Sequence, residues 1–316
     1  MSRHLVGGHR IAALAIFLGA AAVLPSLFGA AKSEPARGNA QLAANRMRAV
    51  KLTPLHTKLG KPAPGDWLAS HAERGQTFDE YRSSNPNRPN RQHTTLYIQP
   101  IGEFTDVQEK IVADTADLLG RFYALPVKML PALKLADIPA KARRTHPEWG
   151  DEQLLTTYIL NEVLKPHRPR DAVAVLALAA LDLWPGEGWN FVFGQANLTE
   201  RVGVWSLYRN GDPERGADAY ALCLRRTIKT ATHETGHMLG IAHCTAYACG
   251  MNGSNSLMES DRQPLFFCPE CVQKVWWSCG GDPAKRYESL LQFCEKHKLT
   301  AEAELCRECL KRLAKP

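Results

Sequence analysis

Three histidines and a glutamate lie close together in the run HETGHMLGIAH, which spans residues 233–243. In a helix, His233 and His237 project from the same face one turn apart, so they can bind one metal ion. Glu234 is turned aside from that face, where its carboxylate can hold a water molecule without becoming a metal ligand. This set of residue types is suited to hydrolysis by a metal-activated water.

The third histidine, His243, completes the pattern HExxHxxGxxH. It follows His237 after about 600° of helical rotation, so a continuous helix would point it away from the metal. Gly240 resolves this conflict, because glycine adopts the left-handed conformation that ends helices and lets the chain turn back. Three neutral imidazoles with one open position are the ligand set of a catalytic zinc site. A bare HExxH also occurs in helices that bind no metal, but the extended pattern favours zinc.

Four cysteines follow at spacings typical of a structural zinc site: Cys244, Cys249, Cys268 and Cys271. Such a set can surround one zinc ion tetrahedrally. Disulfides are the alternative in an oxidising compartment. A CxxC pair with an intervening proline fits a metal better than a bridge without strain. We therefore expect a second zinc ion at these cysteines.

The chain resembles the archaemetzincin family of metallopeptidases in residues 233–271. The shared pattern is HExxHxxGxxHC, then CxM after four residues, then CxxC after sixteen more. Met251 occupies the methionine position of that pattern, although Met258 competes with it on spacing alone. The resemblance implies that Met251 forms the Met-turn, a tight turn below the catalytic zinc, and that the four cysteines hold a structural zinc. It covers most of residues 64–275.

A mechanism follows from the motif and the resemblance. Zinc held by the three histidines would activate a water molecule and polarise the scissile carbonyl. Glu234 would take the proton of that water as general base and deliver it to the leaving amine. By analogy with metzincins, a strand upstream of the metal helix, residues 202–208, would pair with the extended peptide substrate.

The elements that must position these residues alternate between strand and helix, which predicts an α/β fold of the α+β metzincin kind. We expect a mixed sheet with packed helices, a zinc-binding helix and a C-terminal zinc subdomain built on the four cysteines. The predicted strands are residues 96–101, 126–130, 173–183, 191–193 and 202–207. The predicted helices are residues 105–123, 151–164 and one leading into His233, then a hairpin of 287–297 and 301–313.

The chain divides into four predicted segments. They are residues 1–31, a signal peptide or membrane anchor; 32–94, a basic Pro-rich extension; 95–275, the archaemetzincin-like catalytic domain with its four-cysteine zinc site; and 276–316, a helical tail. The density of proline and asparagine predicts loop or linker in the extension, with a patch around Trp67 that packs on the main domain. The basic surplus of the chain lies before residue 95, so the near-neutral remainder argues against a nucleic-acid partner.

The N-terminus has the layout of an export signal: two arginines, an uncharged stretch at 11–31 and a small-residue cleavage site. We expect an exported protein, secreted or periplasmic, or a membrane-anchored one if the segment is not cleaved. Nine cysteines then raise a redox question. Four of them, in the C-terminal tail, are not explained by the motif: they could form disulfides, bind a third ion or stay reduced, and disulfides are favoured. They are Cys279, Cys294, Cys306 and Cys309.

The sequence thus favours a zinc-dependent metallopeptidase with two zinc ions, acting on peptides or proteins. A second hypothesis is a zinc-stabilised peptide-binding protein without turnover. A third is a nucleic-acid-binding zinc ribbon built on residues 244–271, which the charge distribution disfavours. The sequence leaves open the cleavage specificity, the choice between endopeptidase and aminopeptidase, and the oligomeric state.

Overall fold

The computed structural model of the chain describes residues 36–315. The strands are β1 (Thr95–Ile101), β2 (Val127–Met129), β3 (Arg143–Thr145), β4 (Glu152–Leu155), β5 (Ala172–Ala179), β6 (Asp182–Trp184), β7 (Gly194–Asn197) and β8 (Val202–Ser206). The helices are α1 (Ala36–Leu52), α2 (Trp67–Ser70), α3 (Phe78–Ser83), α4 (Asp106–Tyr123), α5 (Thr156–Tyr158), α6 (Lys165–His167), α7 (Ala217–Met238), α8 (Leu257–Arg262), α9 (Pro269–Cys279), α10 (Pro283–Lys296) and α11 (Thr300–Ala314).

The main sheet has five strands in the order β2-β1-β5-β8-β7. Four of them run parallel, and the edge strand β7 pairs antiparallel with β8. Every residue of the central strand β5 is buried, because helices and loops cover both faces of the sheet. Alternate residues of β1 enter opposite cores, Leu96 and Ile98 on the α7 side and Tyr97 on the other. The predicted α/β fold with a mixed sheet and packed helices is confirmed.

A second sheet, in the order β3-β4-β6, replaces part of a predicted helix. Residues 151–164 were expected to be one helix, but the first of them form β4, and a π-helical stretch, Ile159–Leu164, links α5 to α6. Strand pairing favours the extended conformation over the helix here. Strand β4 bonds to β3 and β6, and the buried side chain of Gln153 donates a hydrogen bond to Asp182 at 2.7 Å. The predicted strand at 173–183 is correspondingly split into β5 and β6. The predicted strand at 191–193 is reduced to one bridge, between Val192 and Leu183.

The N-terminal extension is more ordered than the sequence predicted. The expectation of loop or linker is wrong for α1, which packs on α9 and α11. Helix α3 begins with a capping box, in which Thr77 and Glu80 satisfy each other's backbone N–H groups. Trp67 is buried, so the predicted packing of that patch on the main domain is confirmed. Residues 84–94 carry no helix or strand, as expected from their prolines and asparagines.

The C-terminal tail is the predicted helical hairpin, formed by α10 and α11 and packed on α1 and α4. All nine cysteines of the chain are free thiols in this structure, including the four of the tail. Cys294, Cys306 and Cys309 are fully buried inside the hairpin. Within residues 36–315, no helix combines the length and the apolar character needed to cross a bilayer. The predicted signal peptide or anchor lies outside the described residues.

Candidate metal centres and their surroundings

The end of α7 carries the histidine motif. Gly240, with φ of 84°, sits just past the helix, as the sequence predicted. Its N–H donates to the carbonyl of His237 at 2.8 Å, and the N–H of Ile241 donates to the carbonyl of Gly236 at 3.0 Å. These two bonds are a Schellman motif, which satisfies the last helical carbonyls and reverses the chain. The reversal brings His243 back over the helix end.

The three histidine rings converge, with centroids 4.5–5.4 Å apart. Each ring is held through Nδ1. His233 bonds to the carbonyl of Gly250 at 2.8 Å, and His237 bonds to the carbonyl of Ile241 at 2.7 Å. Carbonyl oxygens only accept hydrogen bonds, so the proton of each of these rings is on Nδ1. Their Nε2 atoms therefore carry lone pairs.

The Nε2 atoms face one another in a buried space. Those of His233 and His237 lie 2.9 Å apart, and neither has a proton to share, so a cation between them relieves their repulsion. The Nε2 of His243 is buried and has no hydrogen-bond partner in the structure. One nitrogen from each ring lies within 4.8 Å of the other two. The residues fit a metal ion bound by three imidazoles, which is the donor set of catalytic zinc.

Glu234 is buried beside this cluster, with its Oε1 atom 4.0 Å from Nε2 of His233. The indole of Trp205, on β8, lies close enough to the carboxylate to affect its pKa. Burial raises the pKa of Glu234 to about 8, and the nearby Trp205 indole opposes this shift. The carboxylate thus lies next to the metal position but outside the ring of ligands, as the motif predicted.

Met251 is fully buried under α7, whereas Met258, its competitor on spacing, is 72% exposed. The sulfur of Met251 packs on Gly236, between the two helical histidines. A Cβ atom on Gly236 would come within 2.7 Å of that sulfur, so the close approach requires glycine there. The structure thus places Met251, and not Met258, beneath the histidine cluster.

The four motif cysteines form a second cluster, with all sulfur atoms within 4.8 Å of one another. The sulfurs of Cys244 and Cys268 are 3.7 Å apart. A tetrahedral site with Zn–S bonds of about 2.3 Å separates its sulfurs by roughly 3.8 Å, whereas a disulfide needs about 2.05 Å. Burial raises the pKa of Cys249 and neighbouring thiols raise that of Cys271, so a cation is needed to hold these two as thiolates. The cluster fits a structural zinc ion.

The loop between the two clusters is braced by its own polar groups. Asn252 accepts from the N–H of Cys249 at 2.7 Å and donates to the carbonyls of Cys244 and Tyr247. The sulfur of Cys249 accepts from the N–H groups of Met251 and Cys268. Such N–H···S bonds favour a thiolate, since they place positive dipoles on the sulfur.

Two residues outside the motif complete the histidine cluster, and sequence reasoning missed their part in it. The carboxylate of Glu73 bonds to Nδ1 of His243 at 2.9 and 3.0 Å. The indole of Trp67 meets the His243 ring edge-on at 5.3 Å. Glu73 lies 170 residues before His243, and no local pattern marks it. The sequence also placed Trp205 in a strand but did not predict that it lies beside Glu234.

Glu259 and Asp261, two acidic residues that follow the metal-binding motifs' first cysteines, bond to other elements. Glu259 is buried and accepts from the N–H groups of Trp67 and Asn255, at 2.9 and 2.6 Å. Asp261 pairs with Arg226 of α7 through two bonds of 2.6 and 3.0 Å. Both carboxylates therefore tie α8 to neighbouring segments, and neither touches a motif histidine.

Comparison with known proteins places these clusters in a family. The sequence pattern of peptidase family M54 matches residues 168–276. Archaemetzincin-2 from Pongo abelii and from Homo sapiens are each 33% identical to this chain over 265 residues, covering 74% of the chain and 73% of the relative. The chain belongs to the archaemetzincin family. It is therefore a member of a metallopeptidase family.

Archaeal archaemetzincins of known structure are shorter. The crystal structure of archaemetzincin from Archaeoglobus fulgidus, complexed with malonate, is 32% identical and covers 57% of this chain and 99% of that one, with a TM-score of 0.44. The structure from Methanopyrus kandleri is 29% identical and covers 59% of this chain and 96% of that one, with a TM-score of 0.46.

Two cavities of unequal size flank the histidine cluster of this archaemetzincin. One has a volume of about 320 Å³ and is lined by His237 and His243, by Leu198, and by Glu73 and Arg74 of the N-terminal extension. The other, beside His233 and Glu234, has only about 20 Å³. The larger cavity leaves open space next to the histidine cluster.

The strand expected to pair with substrate, residues 202–208, does not have a free edge. Strand β8 lies between β5 and β7 and bonds to both. The residues after it form a short 3-10 helix, Tyr208–Asn210, and not more strand. The edge of the main sheet on this side is β7, so the earlier prediction is wrong about which strand can accept a peptide backbone.

Proposed function

We propose that the chain is a zinc-dependent peptidase of the metzincin type, with catalytic zinc held by His233, His237 and His243. One observation carries the proposal: three buried imidazoles turn their Nε2 atoms to one point, and that of His243 has no other partner. Zinc in such a site acidifies water and polarises a carbonyl oxygen. Three protein ligands leave one position for the reactants.

In this proposal Glu234 is the general base. Its carboxylate takes a proton from the attacking water and later gives it to the amine that leaves. The position of the carboxylate, 4.0 Å from Nε2 of His233 and outside the ligand ring, supports this role. The neighbouring Trp205 indole favours the charged form of the carboxylate.

The second zinc ion, in the proposal, is structural and held by Cys244, Cys249, Cys268 and Cys271. Four protein ligands close the coordination shell, so no position is left for a reactant. Met251 forms the Met-turn, a contact below the histidine cluster that fixes the floor of the site. Its packing on Gly236 supports this role.

We propose that substrate adds as an extended strand along β7. Backbone groups on the outer edge of β7 can pair with a peptide, as in other strand-addition complexes. A side chain of that peptide can enter the cavity lined by Leu198, His237 and His243. Because Leu198, Ile241 and Ala242 line the cavity beside the histidines, we expect apolar side chains to be preferred there.

The decisive experiment is cleavage of a diverse peptide library by zinc-loaded protein and by Glu234→Gln. We expect the variant to lose at least about 100-fold in kcat/KM while keeping its zinc, since general base catalysis contributes that much or more. Glu109→Gln is the matched control, because Glu109 is exposed on α4. Undiminished cleavage by zinc-loaded Glu234→Gln would contradict the mechanism. Peptide binding without cleavage by the parent protein would support the alternative of a non-catalytic peptide-binding protein.

We also propose that residues 1–31 direct export of the chain. The basic start and the uncharged stretch of the sequence support this. N-terminal sequencing of protein recovered outside the cytoplasm tests it. A chain beginning near Lys32 is expected after cleavage, and an intact N-terminus in the membrane fraction indicates an anchor.

A further inference from the structure

His243 is held differently from the other two histidines. The Nδ1 atoms of His233 and His237 donate to backbone carbonyls, whereas Nδ1 of His243 bonds to both carboxylate oxygens of Glu73. Glu73 belongs to the N-terminal extension, outside the matched stretch of peptidase family M54. One ring of the cluster therefore depends on a charged side chain from a remote part of the chain.

A carboxylate in this position has two effects on the imidazole. It only accepts hydrogen bonds, so it fixes the proton of His243 on Nδ1 and leaves the lone pair on Nε2. Its negative charge also makes Nε2 a stronger donor to a cation than a carbonyl partner would. Both effects act on the atom that is buried without a partner and faces His233 and His237.

The extension is anchored on both sides of Glu73. Before it, the N–H of Trp67 donates to Glu259, and the indole packs on the His243 ring. After it, the side chain of Gln76 bonds at 3.2 Å to both the carbonyl of Gly240 and the N–H of Ala242. These contacts hold the extension against the turn that carries His243.

The backbone of Gln76 is fixed in turn. Lys274, buried in α9, donates to the carbonyl of Gln76. Tyr81, in α3, donates to the carbonyl of Leu239 at 2.9 Å. The carboxylate of Glu73 thus lies on a framework fixed at several points, and its contact with His243 does not depend on a freely rotating surface side chain.

We propose that Glu73 is a positioning residue for the catalytic zinc, acting through His243. The inference rests on the proposed function, since it assumes zinc at the three histidines. It assigns part of the metal site to the N-terminal extension. Removal of the carboxylate is expected to weaken zinc binding at the histidines by about 10- to 100-fold, the usual range for an outer partner of a ligand histidine.

The test measures zinc affinity at each cluster by chelator competition in full-length Glu73→Gln, Glu73→Ala and Glu73→Asp. We expect the Gln and Ala variants to lose affinity at the histidines while the cysteine cluster keeps its zinc. Glu73→Asp retains the charge at a shorter reach and should recover part of the affinity. Asp79→Asn, an equal change of charge in the same extension at a carboxylate that pairs with arginines, is the control.

Three results would overturn the inference. Parent-like zinc affinity at the histidines in Glu73→Gln and Glu73→Ala would show that the carboxylate does not tune the metal. Equal loss of zinc from both clusters would assign Glu73 a general structural role. A raised KM with unchanged zinc affinity would make it a substrate contact. Absence of zinc from the histidines of the parent protein would instead remove the proposed function itself.

Discussion

The histidine and cysteine clusters adjoin in the sequence, at His243 and Cys244, yet their surroundings differ. The cysteine cluster is built almost entirely from residues 244–271, and the Cys249 sulfur accepts hydrogen bonds from two backbone N–H groups of the same stretch. The histidine cluster borders a cavity of about 320 Å³ and is bonded by a carboxylate from residue 73. The buried cysteine site can be assembled from one local segment. The histidine site borders a cavity, so its ligands must be oriented by groups that leave one side of the metal position free.

The largest expected difference between the two clusters is in how readily a chelator removes their zinc. We expect limited chelation to remove the histidine-bound zinc first, because that cluster opens to a cavity, whereas the cysteine sulfurs are sealed in the core. Peptide cleavage should then be lost completely before the protein unfolds. Zinc release, cleavage and circular dichroism, followed together, check the order. Simultaneous loss of activity and fold would contradict the expected difference between the clusters. Re-addition of zinc, which should restore cleavage, is the control.

A second prediction concerns single ligands. Cys271→Ala is expected to cost several kcal/mol of unfolding free energy, because structural zinc contributes on the order of 10 kcal/mol in small domains. His237→Ala should remove one zinc as well but lower the thermal midpoint less than Cys271→Ala does. Metal analysis with calorimetry checks both variants. A larger stability loss in His237→Ala than in Cys271→Ala would reverse the assigned roles.

A third prediction tests the contact beneath the histidines. Gly236→Ala places a Cβ atom within 2.7 Å of the Met251 sulfur, and such overpacking costs about 1–3 kcal/mol. Met251→Ala also destabilises, by removing a buried side chain. In the double variant the costs should not add, since the smaller side chain makes room for the new methyl group. Denaturant unfolding of the four proteins measures the coupling, and simple additivity would contradict a direct contact.

The smallest expected effect concerns the tie between α8 and the N-terminal extension. Glu259→Gln weakens two bonds to backbone N–H groups and should cost about 1 kcal/mol. The neighbouring Met258→Ala is the control, because its side chain is 72% exposed and exposed changes usually stay within about 0.5 kcal/mol. Thermal unfolding distinguishes the two. Equal midpoints for both variants would show that the tie contributes little.

The metal-binding positions could be predicted from the sequence because local geometry determines them. The spacing of His233 and His237 follows from the helical repeat, and Gly240 marks the turn that returns His243. Pairing between distant segments could not be predicted in this way. The apolar residues at 154–159 fit a helix as well as a strand, and contact with β6 decided in favour of β4.

Contacts between side chains far apart in the chain could not be predicted from the sequence either. Glu73 lies in a stretch whose prolines and polar residues indicated linker, and only the folded chain brings it to His243. The free edge of the sheet was assigned to the wrong strand for the same reason, since strand order depends on topology and not on the composition of residues 202–208.

The anchoring of the extension at Trp67 and Gln76 couples its docking to the metal. If zinc binds only the docked form, mass action makes its occupancy stabilise docking in proportion to the logarithm of free zinc. Arg74 is exposed and lies between Trp67 and Gln76, so we expect trypsin to cleave after it when the extension undocks from the main domain. The rate of cleavage at that one bond should therefore fall as the histidines fill, and it can serve as a gauge of metal occupancy.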